Sequence, residues 1–246
     1  MIVNSLPENA TVVLVHGAWA DGSSWNEVIR PLQSRGLQVI AAPIPLTSLS
    51  DDIAALDRAL ERTEGPVVLA AHAYAGAVIS GTQNDRVRGL CFIAALTPAA
   101  GETVAQVFYG QPPHPEAPKL APDSHGFIWM PPESFARAFA QNASLAEAAQ
   151  LSATQRPIAV ACIQEVAAQP GWSSRPSWYL VAEEDRMISP VTQHMLAQRM
   201  RARISSQRVD HTPIITAPGP VVELIVEAVA SVERQVSTTH ASGVTS

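Results

Sequence analysis

Short, nearly continuous apolar runs alternate along the chain with longer stretches whose apolar positions recur every three to four residues. The runs are Thr11–Val15, Leu37–Ala42, Pro66–Ala71, Leu90–Ala95, Trp178–Ala182 and Ala202–Val209. The first five are apolar at almost every position, as strands buried on both faces of a parallel sheet should be. Helical periodicity covers Ser23–Ser34, Ser50–Arg62, Gly76–Gln83, Pro190–Arg201 and Pro220–Arg234. Ser50-Asp51-Asp52 places a hydroxyl and negative charge at a helix start, and Ser189-Pro190 a cap residue followed by proline. The alternation predicts an α/β architecture, a mostly parallel six-stranded sheet with helices on both faces.

The alternation breaks between Thr97 and Gln169. This stretch is proline-rich at its centre, with helical patterns near Ser134–Gln141 and Ser144–Leu151. It carries Phe108, Phe127, Phe135, Phe139, Tyr109 and Trp129. Residues 97–170 are therefore expected to form an inserted helical cap on a core built from 1–96 and 171–235. Most of these aromatics are expected to be the cap's own core, a few facing a pocket at the C-terminal edge of the sheet. Residues 236–246 are small and polar, and are expected to form a disordered tail.

Composition narrows the function classes. The chain has 246 residues, 15% of them charged, with a net charge of −6 and a mean hydropathy of +0.09. Lys and Arg form no cluster, which argues against nucleic acid and anionic membrane as partners. A small-molecule substrate is expected, and homo-oligomerisation is left open. No apolar run is long enough to span a bilayer, and Met1–Ala10 lacks the pattern of a secretory leader. Cys91 and Cys162 have neither metal nor redox spacing, so reduced thiols in a cytoplasmic protein are expected. There is no G-x-G-x-x-G, no phosphate-cradling loop and no cluster at metal-ligand spacing, so no cofactor and no metal are expected.

The chemistry gathers at strand ends. Pro66–Ala71, His72-Ala73-Tyr74 and the helical run from Gly76 read as strand, sharp turn and helix. That is the setting in which a strained elbow lifts a nucleophile in the pattern G-x-S-x-G. Here the segment is Ala71-His72-Ala73-Tyr74-Ala75, with all three defining positions changed. The first strand runs into His16-Gly17-Ala18-Trp19, a turn that can aim backbone N–H groups at a developing oxyanion. By position those donors are Ala18 and Tyr74. Asp185 follows the strand Trp178–Ala182, and His211 lies 26 positions on, after one helix and one strand (211 − 185 = 26). The chain order elbow, acid, histidine suits a carboxylate that orients an imidazole base.

HGAWADGSSW, VVLAAHAYAGAVIS, YLVAEEDRMISP and DHTPIITAPGPVVELI together resemble the α/β-hydrolase superfamily, in particular its compact branch of small esterases and plant-type hydroxynitrile lyases. The resemblance covers roughly residues 11–235. It implies Ala73 at the nucleophile position, Asp185 as acid, His211 as base, and an oxyanion hole from the N–H groups of Ala18 and Tyr74. Trp19, His16, Thr97, His125 and Trp129 are candidate substrate contacts, and His72 is a packed structural residue. Ser80, about two turns beyond the elbow, is too far to replace the serine.

A methyl group at position 73 cannot attack a carbonyl. The first reading is an enzyme on a small, largely apolar carbonyl or ester substrate, using the His211–Asp185 dyad as a general base on water or on a substrate proton. The second is a serine esterase or lactonase inactivated by a Ser-to-Ala change at position 73. The third is a non-catalytic small-molecule binder.

Overall fold

The computed structural model describes residues 10–242, with side chains through residue 232. Six parallel strands form the main sheet: β1 (Thr11–Val15), β2 (Gln38–Ala42), β3 (Val67–His72), β4 (Val87–Ile93), β7 (Ser177–Ala182) and β8 (Arg203–Gln207). Their order is β2-β1-β3-β4-β7-β8, so β3 and β4 lie at the centre. Along β3, Val67, Leu69 and Ala71 pack into one hydrophobic cluster, and Val68 and Ala70 into the other. That alternation is the period-two side-chain geometry of a strand covered on both faces. The edge strands β2 and β8 are partly exposed, and the more exposed of them, β8, carries the most polar strand sequence of the sheet, RISSQ.

The helices of the core are α1 (Asn26–Ser34), α2 (Leu49–Leu60), α3 (Ala75–Gly81), α8 (Pro190–Arg199), α9 (Pro213–Thr216) and α10 (Pro218–Ser242). The α2 cap is Ser48, whose side chain accepts the Asp51 N–H, two residues before the expected Ser50. Ser189 and Pro190 open α8 as expected, although the Ser189 hydroxyl makes no cap bond. The backbone of α10 is described through Ser242, into the segment expected to form the tail. Residues 243–246 of that segment lie outside the described residues.

Between β4 and β7 the chain leaves the main sheet. It forms α4 (Val104–Phe108), the two-stranded antiparallel pair β5 (Phe127–Ile128) and β6 (Ile158–Ala159), and three helices, α5 (Pro132–Ser134), α6 (Leu145–Thr154) and α7 (Val160–Gln164). A single π-helical turn, Phe135–Phe139, follows α5 and buries Phe135 and Phe139. Such turns often mark functional sites, and this one sets Phe139 beside His211, with ring centroids 5.3 Å apart. Among the described residues no helix is long and apolar enough to cross a membrane.

Candidate active site

The turn between β3 and α3 holds Ala73 at φ +51°, in the left-handed region. A non-glycine residue there costs about 1–2 kcal/mol, so the surroundings must over-determine it. They do so with three backbone bonds. Ala73 N–H donates to Ile93 O (3.2 Å), while its carbonyl accepts from Gly76 (3.1 Å) and Leu96 (3.0 Å). The glycines next to the turn leave little room for a side chain. A Cβ on Gly76 would sit 2.6 Å from Leu96 O, and one on Gly17 only 3.0 Å from His72 O.

Asp185 and His211 meet at this turn. The Asp185 carboxylate is buried and accepts four hydrogen bonds. Oδ1 takes the N–H groups of Met187 (2.7 Å) and Ile188 (2.9 Å). Oδ2 takes Gln193 Nε2 (2.8 Å) and His211 Nδ1 (2.8 Å). A carboxylate at Nδ1 fixes the proton there and leaves Nε2 as the basic nitrogen. Nε2 makes no hydrogen bond to any described residue, and His211 lines a cavity with Ala73, Ala18, Trp19 and Tyr74. Gln193 went unnoticed in the sequence. It is a fully buried amide on α8 that also binds Ile188 O (3.0 Å) and receives Ala182 N–H (2.9 Å). A polar residue directly behind the Ser189-Pro190 helix start was its only signal.

Tyr74 is fastened from behind. Its hydroxyl donates to Asp52 Oδ2 at 2.7 Å, and Asp52 Oδ1 accepts Leu46 N–H at 2.7 Å. Burial raises the Asp52 carboxyl and pushes the neighbouring Cys162 thiol up to about 12. Tyr74→Phe would leave Asp52 Oδ2 with only a long contact to Cys162 Sγ (3.6 Å). We expect that variant to lose about 1–3 kcal/mol of stability, read as a lower denaturation midpoint with an unchanged slope.

His72 ties the elbow to the histidine loop, its Nε2 donating to His211 O at 2.7 Å. Burial, then the nearby His211, lowers its pKa to about 3, against an ordinary 6.5. Between those values the unfolded chain binds a proton that the folded chain refuses, so stability falls as pH falls from about 6.5 toward 3. His16, lowered by burial, adds to this slope, and Asp52, raised by burial, opposes it. The expected contribution of His72 is up to about 1.4 kcal/mol per pH unit. His72→Gln should flatten the dependence when urea midpoints are compared from pH 7 down to pH 4.

The cavity has a volume of about 60 Å³ and apolar walls, among them Leu96, Val104, Phe108, Ile128, Ile158 and Met187. Few polar groups in it are free. The Trp19 indole N–H is taken by Ile128 O (2.9 Å) and the Tyr74 hydroxyl by Asp52. By contrast, neither the Ala18 nor the Tyr74 backbone N–H has an acceptor among the described residues. Trp19, at φ +58°, gives its own N–H to Arg156 O (3.1 Å), which fixes the turn that carries Ala18.

Of the expected substrate contacts, only Trp19 lines the cavity. His16 and Thr97 are buried behind it. His16 Nδ1 bonds Gly17 O (3.0 Å), and the Thr97 carbonyl receives Arg199. His125 sits exposed in the Asp123–Phe127 turn, and Trp129 is 51% exposed with its indole on Asp123 (3.2 Å). None of these four side chains lines the cavity: the His16 ring is bonded to Gly17 O and the Trp129 indole to Asp123, while the Thr97 hydroxyl is buried without a hydrogen-bond partner and the His125 ring is exposed. Among the described residues no group of three or more His, Cys, Asp or Glu side chains is placed to hold a metal ion.

The same arrangement of sheet and helices occurs in solved structures. Polyneuridine aldehyde esterase is 16% identical with a TM-score of 0.76, over 90% of this chain and 99% of that one. A pyrethroid hydrolase from Sphingobium faniae is 18% identical with a TM-score of 0.75, over 90% and 98%. An extracellular α/β-hydrolase from a Paenibacillus species is 22% identical with a TM-score of 0.73, over 89% and 98%. At these identities the likeness is one of fold. Among curated protein sequences none matches the chain. The family model described as "Alpha/beta hydrolase family" matches residues 12–224, and the chain therefore belongs to the alpha/beta hydrolase family, a family of enzymes of hydrolase type.

Proposed function

We propose that the protein hydrolyses a small, largely apolar carbonyl or ester substrate by general-base catalysis, without a covalent enzyme intermediate. His211 Nε2 takes a proton from water as that water attacks the carbonyl carbon. Asp185 holds the imidazole and stabilises the imidazolium that forms. The carbonyl oxygen, turning into an oxyanion, is received by the N–H groups of Ala18 and Tyr74; as the tetrahedral intermediate collapses, the ester C–O bond breaks and the His211 imidazolium returns its proton to the departing alkoxide, leaving acid and alcohol. The observation that carries this reading is the fully bonded Asp185–His211 pair, whose free Nε2 opens into the same apolar cavity as those two unpartnered N–H groups. A proton drawn from the substrate itself would use the same base and the same donors. The buried, unpaired cysteines Cys91 and Cys162 support a cytoplasmic setting. Removing the imidazole tests the proposal: His211→Ala must lose turnover and still bind ligand.

One observation favours a second reading. The left-handed strain at Ala73 lifts a methyl group that performs no chemistry. An elbow of that shape suits a serine esterase or lactonase whose nucleophile has become alanine.

A further inference from the structure

The cavity at His211 is too small to be the whole substrate site. Its volume of about 60 Å³ falls well below the roughly 300 Å³ at which ligand pockets begin. A second space of about 310 Å³ adjoins it and shares four walls with it: Phe108, Tyr109, Leu120 and Met187. A molecule whose carbonyl reaches His211 must therefore extend into this vestibule.

The vestibule differs in chemistry from the cavity. Its outer wall is the proline-rich stretch Gln111–Pro118, a stiff rim because proline fixes its backbone angle. Lys119 lies in that wall, and it is the only lysine of a chain with a net charge of −6. Lys119 forms no ion pair among the described residues. No Asp or Glu lines the space, and Glu116 close by is engaged by Arg137 (2.7 Å). The Ser189 hydroxyl makes no cap bond and is a free donor lining the same space. A lone cation with adjacent donors, at the mouth of an apolar slot, matches an anionic oxygen group at the end of an apolar chain.

We propose that the vestibule binds a carboxylate at the far end of the substrate, with Lys119 as its cation. The natural substrate is then an elongated molecule, with a carbonyl or ester head at His211, an apolar middle against Phe108 and Leu120, and an anionic tail. This assignment rests on the active-site reading above for the position of the head.

The test compares monomethyl suberate with dimethyl suberate, which share the ester head and differ in tail charge. Binding is measured by calorimetry, and hydrolysis by methanol release. The natural chain should bind the half-ester about two- to fivefold more tightly than the diester, the scale of an exposed ion pair. The preference should shrink in high salt. Lys119→Ala should erase it, and Lys119→Glu should invert it, with an unchanged melting temperature because the residue is exposed. Equal binding of the two esters by all three proteins, or binding of neither at millimolar concentration, overturns the carboxylate site. Binding selectivity that follows the charge at position 119 without any hydrolysis would keep the site and remove the hydrolytic reading. Hydrolysis indifferent to that charge would do the reverse.

Discussion

His211→Ala is expected to lower kcat/KM for a short nitrophenyl ester by about 10²- to 10⁴-fold, the usual worth of a positioned general base. Three of the four bonds to Asp185 survive the change, because Met187, Ile188 and Gln193 still donate to it. His72 binds the His211 carbonyl and not its ring, so the loop stays anchored. The folded state should therefore persist, visible as an unchanged circular dichroism spectrum. Ligand affinity should hold within a fewfold, since the imidazole is one wall among many apolar ones. Added imidazole, small enough for the space left behind, should return part of the rate. Full activity in this variant would remove His211 from the chemistry.

Ala73→Ser should work in the opposite direction. The elbow already stands at φ +51°, the base is placed on the same cavity, and two N–H groups have no acceptor among the described residues. Only a hydroxyl is lacking. A serine at this position can give its proton to His211 Nε2 and attack the carbonyl directly, splitting one difficult step into two easier ones. Hydrolysis of a nitrophenyl ester should rise by about 10²-fold or more over the natural chain, with a burst of nitrophenol in the first turnover. A sulfonyl fluoride should inactivate the variant and leave the natural chain untouched. Failure of both signs would mean that the site has moved away from serine chemistry despite its backbone geometry.

Much of this was legible in the sequence, and the misses share a cause. Strand runs bounded by small turn residues located the sheet, because a strand buried on both faces has almost no freedom to be polar. Asp185 and His211 could be placed from chain order, since one helix and one strand separate neighbouring strand ends in a parallel sheet. Gln193 and Asp52 could not. Each is a polar residue within an amphipathic helix, and only three-dimensional packing shows that it is buried and bonded to the site. His125, Trp129 and Thr97 have suitable chemical types, but type says nothing about orientation: Trp129 bonds Asp123 on the surface, the His125 ring is exposed, and Thr97 is buried outside the cavity lining. The cavity walls from Val104 to Leu120 and from Ile158 to Ile163 belong to the stretch where periodicity is broken by proline. Short helices of five residues leave too little pattern there to tell an inward side chain from an outward one.

In the proposed mechanism the chain turns over its substrate through a base and never carries the acyl group itself. Acid-quenched intact mass spectrometry during steady-state hydrolysis of nitrophenyl acetate tests it most directly. The natural chain should release nitrophenol and keep its unmodified mass at every time point, while Ala73→Ser, run in parallel, gains one acetyl group. An acetylated natural chain, formed and consumed at the rate of turnover, would show that the enzyme itself carries the acyl group and would overturn the general-base mechanism.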